Sequence, residues 1–279
     1  MKIFKILSLT LVIAFVFSAC DKVEAPYQTG FDCESGNQNV LIEDYTGHTC
    51  VNCPGAAVTA HDIKSNCEER VIIIAVHAGY FAEPLEGTEF DYDFRTPTGD
   101  VWNNYFGIIS NPNGLVNRVN NDGNYILSPG QWAAQATKLL AQNSPVNISI
   151  KNDFNTSTNK LSTTIDANFV DAVEGNYNIV VCLTENNIIK PQKNNNSSIG
   201  SVPEILEYEH MHVLRKVLTQ QWGNELLNGS VAANQKISKT LELSFDGTDW
   251  VAENCNIVAF ITNVSDKSVL QVNESAVIE

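Results

Sequence analysis

Apolar and polar positions divide the chain into three stretches with different periods. The first is a continuous apolar run, Ile6 to Phe17, preceded by Lys2 and Lys5 and closed by Ser18-Ala19-Cys20. It is too short to span a bilayer and ends in small residues, the pattern of a cleaved secretory signal. The second stretch opens with a short strand, Val40-Leu41-Ile42-Glu43-Asp44-Tyr45. Cys53, Ala56, Ala60, Ile63 and Cys67 then recur at intervals of three and four, which sets them on one helix face. Val71-Ile72-Ile73-Ile74-Ala75-Val76 is unbroken and β-branched, as expected where both faces of a parallel strand are covered. This is a βαβ unit, and its handedness brings the loop before the helix and His77-Ala78-Gly79 to one edge of the sheet.

After a long excursion, a strand over Leu115–Val119, an Asn121-Asp122-Gly123 turn and a strand over Asn124–Leu127 are predicted. A helix follows, with Ser128 as cap, Pro129 in its first turn and Trp132, Ala136, Leu139 and Leu140 as its apolar stripe. From Ser144 the period falls to two. Val146, Ile148 and Ile150 alternate, as do Leu161, Thr163, Ile165, Ala167 and Phe169, and Tyr177, Ile179, Val181 and Leu183. Further strands are suggested by Leu241–Phe245, Asn256–Ile261 and Ser268–Val272, with Lys193–Ser198 as an exposed loop. Alternation on many short strands indicates a two-sheet sandwich. Ile205–Thr219 fits either period; read as a strand, it aligns His210, His212 and Leu214.

Chemistry enters at Cys50-Val51-Asn52-Cys53, which Thr46-Gly47-His48-Thr49 delivers to the helix start, where Pro54 is tolerated. Two thiols three residues apart form and break a disulfide within one helical turn, so the pattern points to redox chemistry. The order βαβ then ββα, with Asp44 six positions before Cys50 and Pro112 opening the third strand, resembles the thioredoxin superfamily. That resemblance implies roles. Cys50 is the attacking thiolate, favoured by the helix N-terminus and by His48, and Cys53 is the buried resolving thiol. Asp44 lies beneath the pair and relays the proton of Cys53. Pro112 is cis, and Asn111 offers backbone hydrogen bonds to a bound peptide. Thr49 and Val51-Asn52 depart from the usual residues, so redox potential and substrate preference do not transfer.

A narrower resemblance rests on Gly47–Ala56, Val76–Gly79, Asn111–Arg118 and His212-Val213-Leu214-Arg215, which are similar to the 28-kDa outer-membrane lipoprotein family of Bacteroidetes. It implies a lipid-anchored outer-membrane protein, periplasmic or surface-exposed, with an α/β thioredoxin-like domain followed by an all-β immunoglobulin-like sandwich. The expected divisions are a lipoprotein signal over 1–19, an anchor linker over 20–38, the thioredoxin-like domain over 39–143 and the sandwich over 144–279. Signal cleavage before Cys20 leaves that residue to carry the acyl chains.

A formal charge of −15 argues against nucleic acid and against a polybasic membrane patch. Glu83, Glu86, Glu89, Asp91 and Asp93 match no calcium-loop spacing and read as a solvated lid. His210-x-His212 is a chelating spacing with no third ligand in view. No metal and no cofactor are expected. With Cys20 lipidated and Cys50 and Cys53 paired, Cys33, Cys67, Cys182 and Cys255 remain, an even number in an oxidising compartment. Domain logic pairs Cys33 with Cys67 and Cys182 with Cys255, against the alternative that Cys67 and Cys182 are free core thiols. Two function classes stay open. One is a thiol-disulfide oxidoreductase acting on envelope or surface proteins; the other is a binding or adhesion lipoprotein in which the cysteine pair is structural.

Overall fold

The computed structural model describes residue 33 and residues 35–278. The chain runs through β1 (Val40–Thr46), α1 (Cys53–Asn66), β2 (Val71–His77), α2 (Pro97–Phe106), β3 (Asn113–Val116) and α3 (Pro129–Leu140). Strands only follow: β4 (Val146–Asn155), β5 (Lys160–Phe169), β6 (Val173–Glu185), β7 (Ile188–Lys193) and β8 (Glu204–His210). The last five are β9 (Val213–Val217), β10 (Asn224–Val231), β11 (Gln235–Ser244), β12 (Cys255–Asn263) and β13 (Val269–Ala276).

β1 and β2 pair in parallel from Val40 opposite Val71 to Thr46 opposite His77, with α1 as the crossover. The buried side of α1 carries Cys53, Ala56, Ala60 and Ile63, the face its apolar spacing marks. Ser128 and Gln131 make a reciprocal capping box at the start of α3. α2 occupies the excursion that periodicity leaves blank. Its frame is local: the Thr96 side chain accepts the Gly99 amide, Pro97 sits in the first turn, and Gly107 takes the left-handed φ of +70° that ends the helix.

β3 is shorter than the predicted Leu115–Val119 strand. Asn117 and Arg118 turn into the left-handed region, at φ 47° and 50°. The turn lets Asn117 Oδ1 accept the Leu41 amide at 2.6 Å and sends Arg118 back onto Glu43. Asn124–Leu127 supplies only isolated bridges, Asn121 with Asn124 and Gly114 with Leu127.

The expected architecture, an α/β thioredoxin-like domain followed by a separate immunoglobulin-like sandwich, is corrected by the sheet. One eight-stranded sheet runs in the order β13-β12-β6-β9-β2-β1-β3, with β10 also on β6. β9 joins β2 in parallel at Ala75 opposite Val213 and pairs antiparallel with β6, so the later strands extend the early ones. Among the described residues three α-helices stand against thirteen strands, and Asp32–Glu279 clusters as one unit.

The cause is apolar patterning on both faces of β6 and β12. Ile179, Val181, Leu183, Ile257, Ala259 and Ile261 face a core shared with β4, β5 and β11 through Val146, Leu161, Ile165, Phe169 and Leu243. The intervening Val180, Cys182, Val258 and Phe260 face a second core with Leu41, Tyr45, Ile72, Ile74 and Trp102. Strands apolar on both faces need cover on both, and here the early strands and α2 supply one side. Inside that second core Arg118 meets Glu43 in a two-pronged ion pair at 2.7 Å, with the guanidinium 4.7 Å from the Trp102 ring centre.

Candidate functional site

Six residues separate the end of β1 from the start of α1; they carry Cys50, and Cys53 opens the helix. The Cys50 amide donates to Gly47 O and the Cys53 amide to Cys50 O, which coils the loop into the helix. Gly47 is required there: a Cβ would stand 2.3 Å from the Phe81 carbonyl, the group that accepts the Thr49 amide. Asn52 caps α1 without a side-chain hydrogen bond, and no acidic residue lies in the first turn. The amide end of the helix is therefore left to act on the neighbouring sulfurs. Cys50 and Cys53 are joined as a disulfide, and each is only 2% exposed.

Asp44 is buried on β1 and shares a cavity wall with Cys53. Asp44, Cys53, His77, Gln192, Tyr208 and His210 help enclose a cavity of about 30 Å³, room for one or two waters. A second cavity of about 190 Å³ also reaches Asp44 and opens past Ala60, Ile73, Met211 and His212. Asp44 Oδ1 has no hydrogen-bond partner, and burial pushes its carboxyl up to about 7. An acid of that kind exchanges protons at neutral pH.

Three histidines and two phenylalanines wall the same end of the sheet. His77 ends β2, and Phe94 lies 4.5 Å from both His77 and His210, centre to centre, and 5.5 Å from His48. His48 Nε2 is 3.0 Å from Phe90 O. Burial lowers the pKa of all three, so their rings are neutral at neutral pH. Help for a Cys50 thiolate then falls to the helix end rather than to a charged His48. His210 and His212 do not share a face, because His212 takes φ 56° in the turn between β8 and β9. Among the described residues no group of three His, Cys, Asp or Glu is placed to hold a metal. Of the acidic run, Asp93 pairs with Arg95, while Phe90 and Phe94 of the same segment turn inward.

The Asn111–Pro112 bond is cis. β3 runs antiparallel to β1 with Asn113 opposite Tyr45, so Asn111 and Pro112 stand at the level where β1 passes into the cysteine loop. Asp44, Cys50, Cys53, His48, His77, Asn111 and Pro112 thus gather at one end of the sheet. Cys20 lies outside the described residues.

Gln192 was not legible as a site residue. Its buried carboxamide Nε2 donates to Cys50 O at 2.9 Å and to Gly47 O at 3.3 Å, across more than 140 residues of sequence. The segment expected as an exposed loop over Lys193–Ser198 is partly buried. Asn194 is enclosed, and its amide nitrogen donates to the carbonyls of Asn196, Gly200 and Ser201. The signal was a run of side-chain amides, which read equally well as a solvated loop.

Cys33 and Cys67 form the expected disulfide. Cys182 and Cys255 do not pair; both are free and buried. They belong to opposite faces of the eight-stranded sheet, Cys182 in the core with Trp102 and Cys255 in the core with Phe169. No rotamer brings their sulfurs together through the sheet.

The sequence model of the outer membrane protein Omp28 family matches residues 99–279, more than half of the chain. The chain belongs to the Omp28 family. It is an outer-membrane lipoprotein, although the cysteine loop precedes the matched segment, so membership in Omp28 carries nothing about the pair. Among solved structures, HBP35 of Porphyromonas gingivalis is similar with a TM-score of 0.64 at 18% identity, over 87% of this chain and 76% of that one. An Agrobacterium tumefaciens protein gives a TM-score of 0.48 at 12% identity, over 88% of this chain and 97% of that one. A domain of the outer membrane lipoprotein Omp28 from Porphyromonas gingivalis gives 0.32 at 21% identity, over 48% and 88%. Of these three, HBP35 alone is similar enough to speak to the fold. No curated protein is significantly similar to the chain.

Proposed function

We propose that this outer-membrane lipoprotein exchanges disulfides with envelope proteins through Cys50 and Cys53. The observation that carries the reading is the cavity in which an unpartnered Asp44 carboxyl, with a pKa of about 7, meets Cys53. A structural disulfide has no use for a proton carrier of neutral pKa beside one of its sulfurs, whereas exchange needs one. A client thiolate attacks Cys50 Sγ and forms a mixed disulfide, while the Cys50–Cys53 bond breaks and Cys53 departs with the electron pair. Asp44 gives its proton to Cys53. The second client thiolate then attacks the client sulfur bonded to Cys50, so the client becomes a disulfide and the protein a dithiol. The same steps run backward reduce a client disulfide, with Asp44 taking the proton.

A second reading, a binding lipoprotein with a structural pair, is favoured by the near-complete burial of both sulfurs. Trapping separates the two. With Cys53→Ala, Cys50 retains its client and reductant-sensitive adducts appear on non-reducing gels, to vanish in the Cys50→Ala, Cys53→Ala double variant. Absence of adducts, together with failure of the wild-type protein to oxidise or reduce a model substrate, rejects exchange and leaves the binding reading.

A further inference from the structure

β7 and β8 form a two-stranded sheet that pairs with no other strand, so the hairpin is joined to the eight-stranded sheet by side chains and loops alone. Its base, Ile188 opposite His210, is anchored where His210 meets His77 and Phe94. Its other end, from Gln192 onward, lies on the cysteine loop. Gln192 Nε2 donates to the carbonyls of Gly47 and Cys50. The Lys193 amide donates to His48 O at 2.8 Å and the Asn195 amide to Val51 O at 3.1 Å. Asn195 Nδ2 reaches Asn52 Oδ1 at 2.7 Å, and Lys193 Nζ lies 5.1 Å from the Phe90 ring centre.

Three residues of one segment, Gln192, Lys193 and Asn195, thus account for the carbonyls of Gly47, His48, Cys50 and Val51. The cysteines beneath are closed to solvent.

We propose that Gln192–Asn195 is a latch over Cys50, with Gln192 as the positioning residue that holds it shut. The inference rests on the exchange reading for its purpose, though not for its test. Two of the bonds, from the backbone amides of Lys193 and Asn195 to the carbonyls of His48 and Val51, are those an extended peptide would make in their place, and the Gln192 carboxamide adds a side-chain clamp. A client is therefore a protein that presents an extended, amide-donating segment beside its cysteine and displaces the latch. Compact folded partners, which offer no such segment, are excluded.

The test is reduction of the Cys50–Cys53 disulfide by dithiothreitol in the full-length, detergent-solubilised protein. Dithiothreitol supplies two electrons and closes to its cyclic disulfide as Cys50 and Cys53 become thiols. Alkylation and mass analysis of the peptide that holds both residues read the rate. A latch makes the wild-type rate level off as dithiothreitol rises, because opening becomes limiting. Gln192→Ala removes two bonds to the loop, and the rate should rise about tenfold or more. Asn195→Ala, at the exposed end, keeps its backbone bond and should give a rise of roughly two- to threefold while leaving the fold intact. Reduction of both variants at the wild-type rate, with no levelling in the wild type, overturns the latch. Faster reduction without client adducts in Cys53→Ala keeps the latch and sinks exchange; adducts with unchanged reduction rates do the reverse.

Discussion

Asp44→Asn should make the protein more stable and less active, and the size of the first effect follows from the structure. Asp44 is fully buried, its Oδ1 is unpartnered, and burial raises its pKa from 3.8 to about 7. Between those two values the folded protein holds a proton that the unfolded chain has lost. Folding stability therefore falls as pH climbs through this window and levels off above it. Three pKa units correspond to about 4 kcal/mol at 1.36 kcal/mol per unit. Asparagine has nearly the same shape and no charge to bury. The variant should match the wild type near pH 4 and exceed it by up to about 4 kcal/mol at pH 8 to 9. Denaturation in guanidinium without reductant, followed by fluorescence of Trp102, Trp132, Trp222 and Trp250, measures this directly. His77 and His210 provide an internal control. Burial lowers their pKa values, so both must charge on unfolding in acid, and the loss of stability below about pH 6.5 should persist in the variant. A gain that is equal at every pH would assign the effect to packing, and no gain at pH 8 would refute the buried carboxylate. Exchange by the variant should slow by about 10²-fold, the loss of a positioned acid and base.

Glu43→Gln strands the Arg118 guanidinium in an apolar core and should cost about 3–5 kcal/mol in the same denaturation assay, whereas Glu43→Leu with Arg118→Met should recover most of it. A Cys20→Ala protein, unfolded without reductant, should titrate for two thiols, those of Cys182 and Cys255; a count near zero would mean that they pair after all.

The sequence made local structure plain and long-range pairing nearly invisible. Pro54 after the cysteine pair, the β-branched run of β2 and the Ser128-Pro129 cap each state their element within a few residues. Asp44 was legible too, because it stands six positions before Cys50 on a short apolar strand, the place the thioredoxin resemblance gives an acidic residue. The meeting of β9 with β2 leaves no such trace, since one register pair is enough to fuse the sheet and no period announces it. Gln192 is hidden for the same reason: an amide side chain becomes a clamp only when another loop presents its carbonyls. The two free thiols sit between these cases. Alternation already sets Cys182 out of phase with Val181 and Leu183, but the face of Cys255 depends on which side of β12 meets which core.

The two-faced strands β6 and β12 act as a party wall between two rooms. Val181 and Cys182 are neighbours in the chain, yet each belongs to a different interior, so disturbance of the wall is felt in both. A chain severed after α3 would keep its cysteine loop and lose Val180, Leu214, Val258 and Phe260 from around Leu41 and Tyr45. It would also bare the flank of β2, whose unpaired amides would seek another chain. The chemistry at one end and the strand layers at the other thus live or melt together.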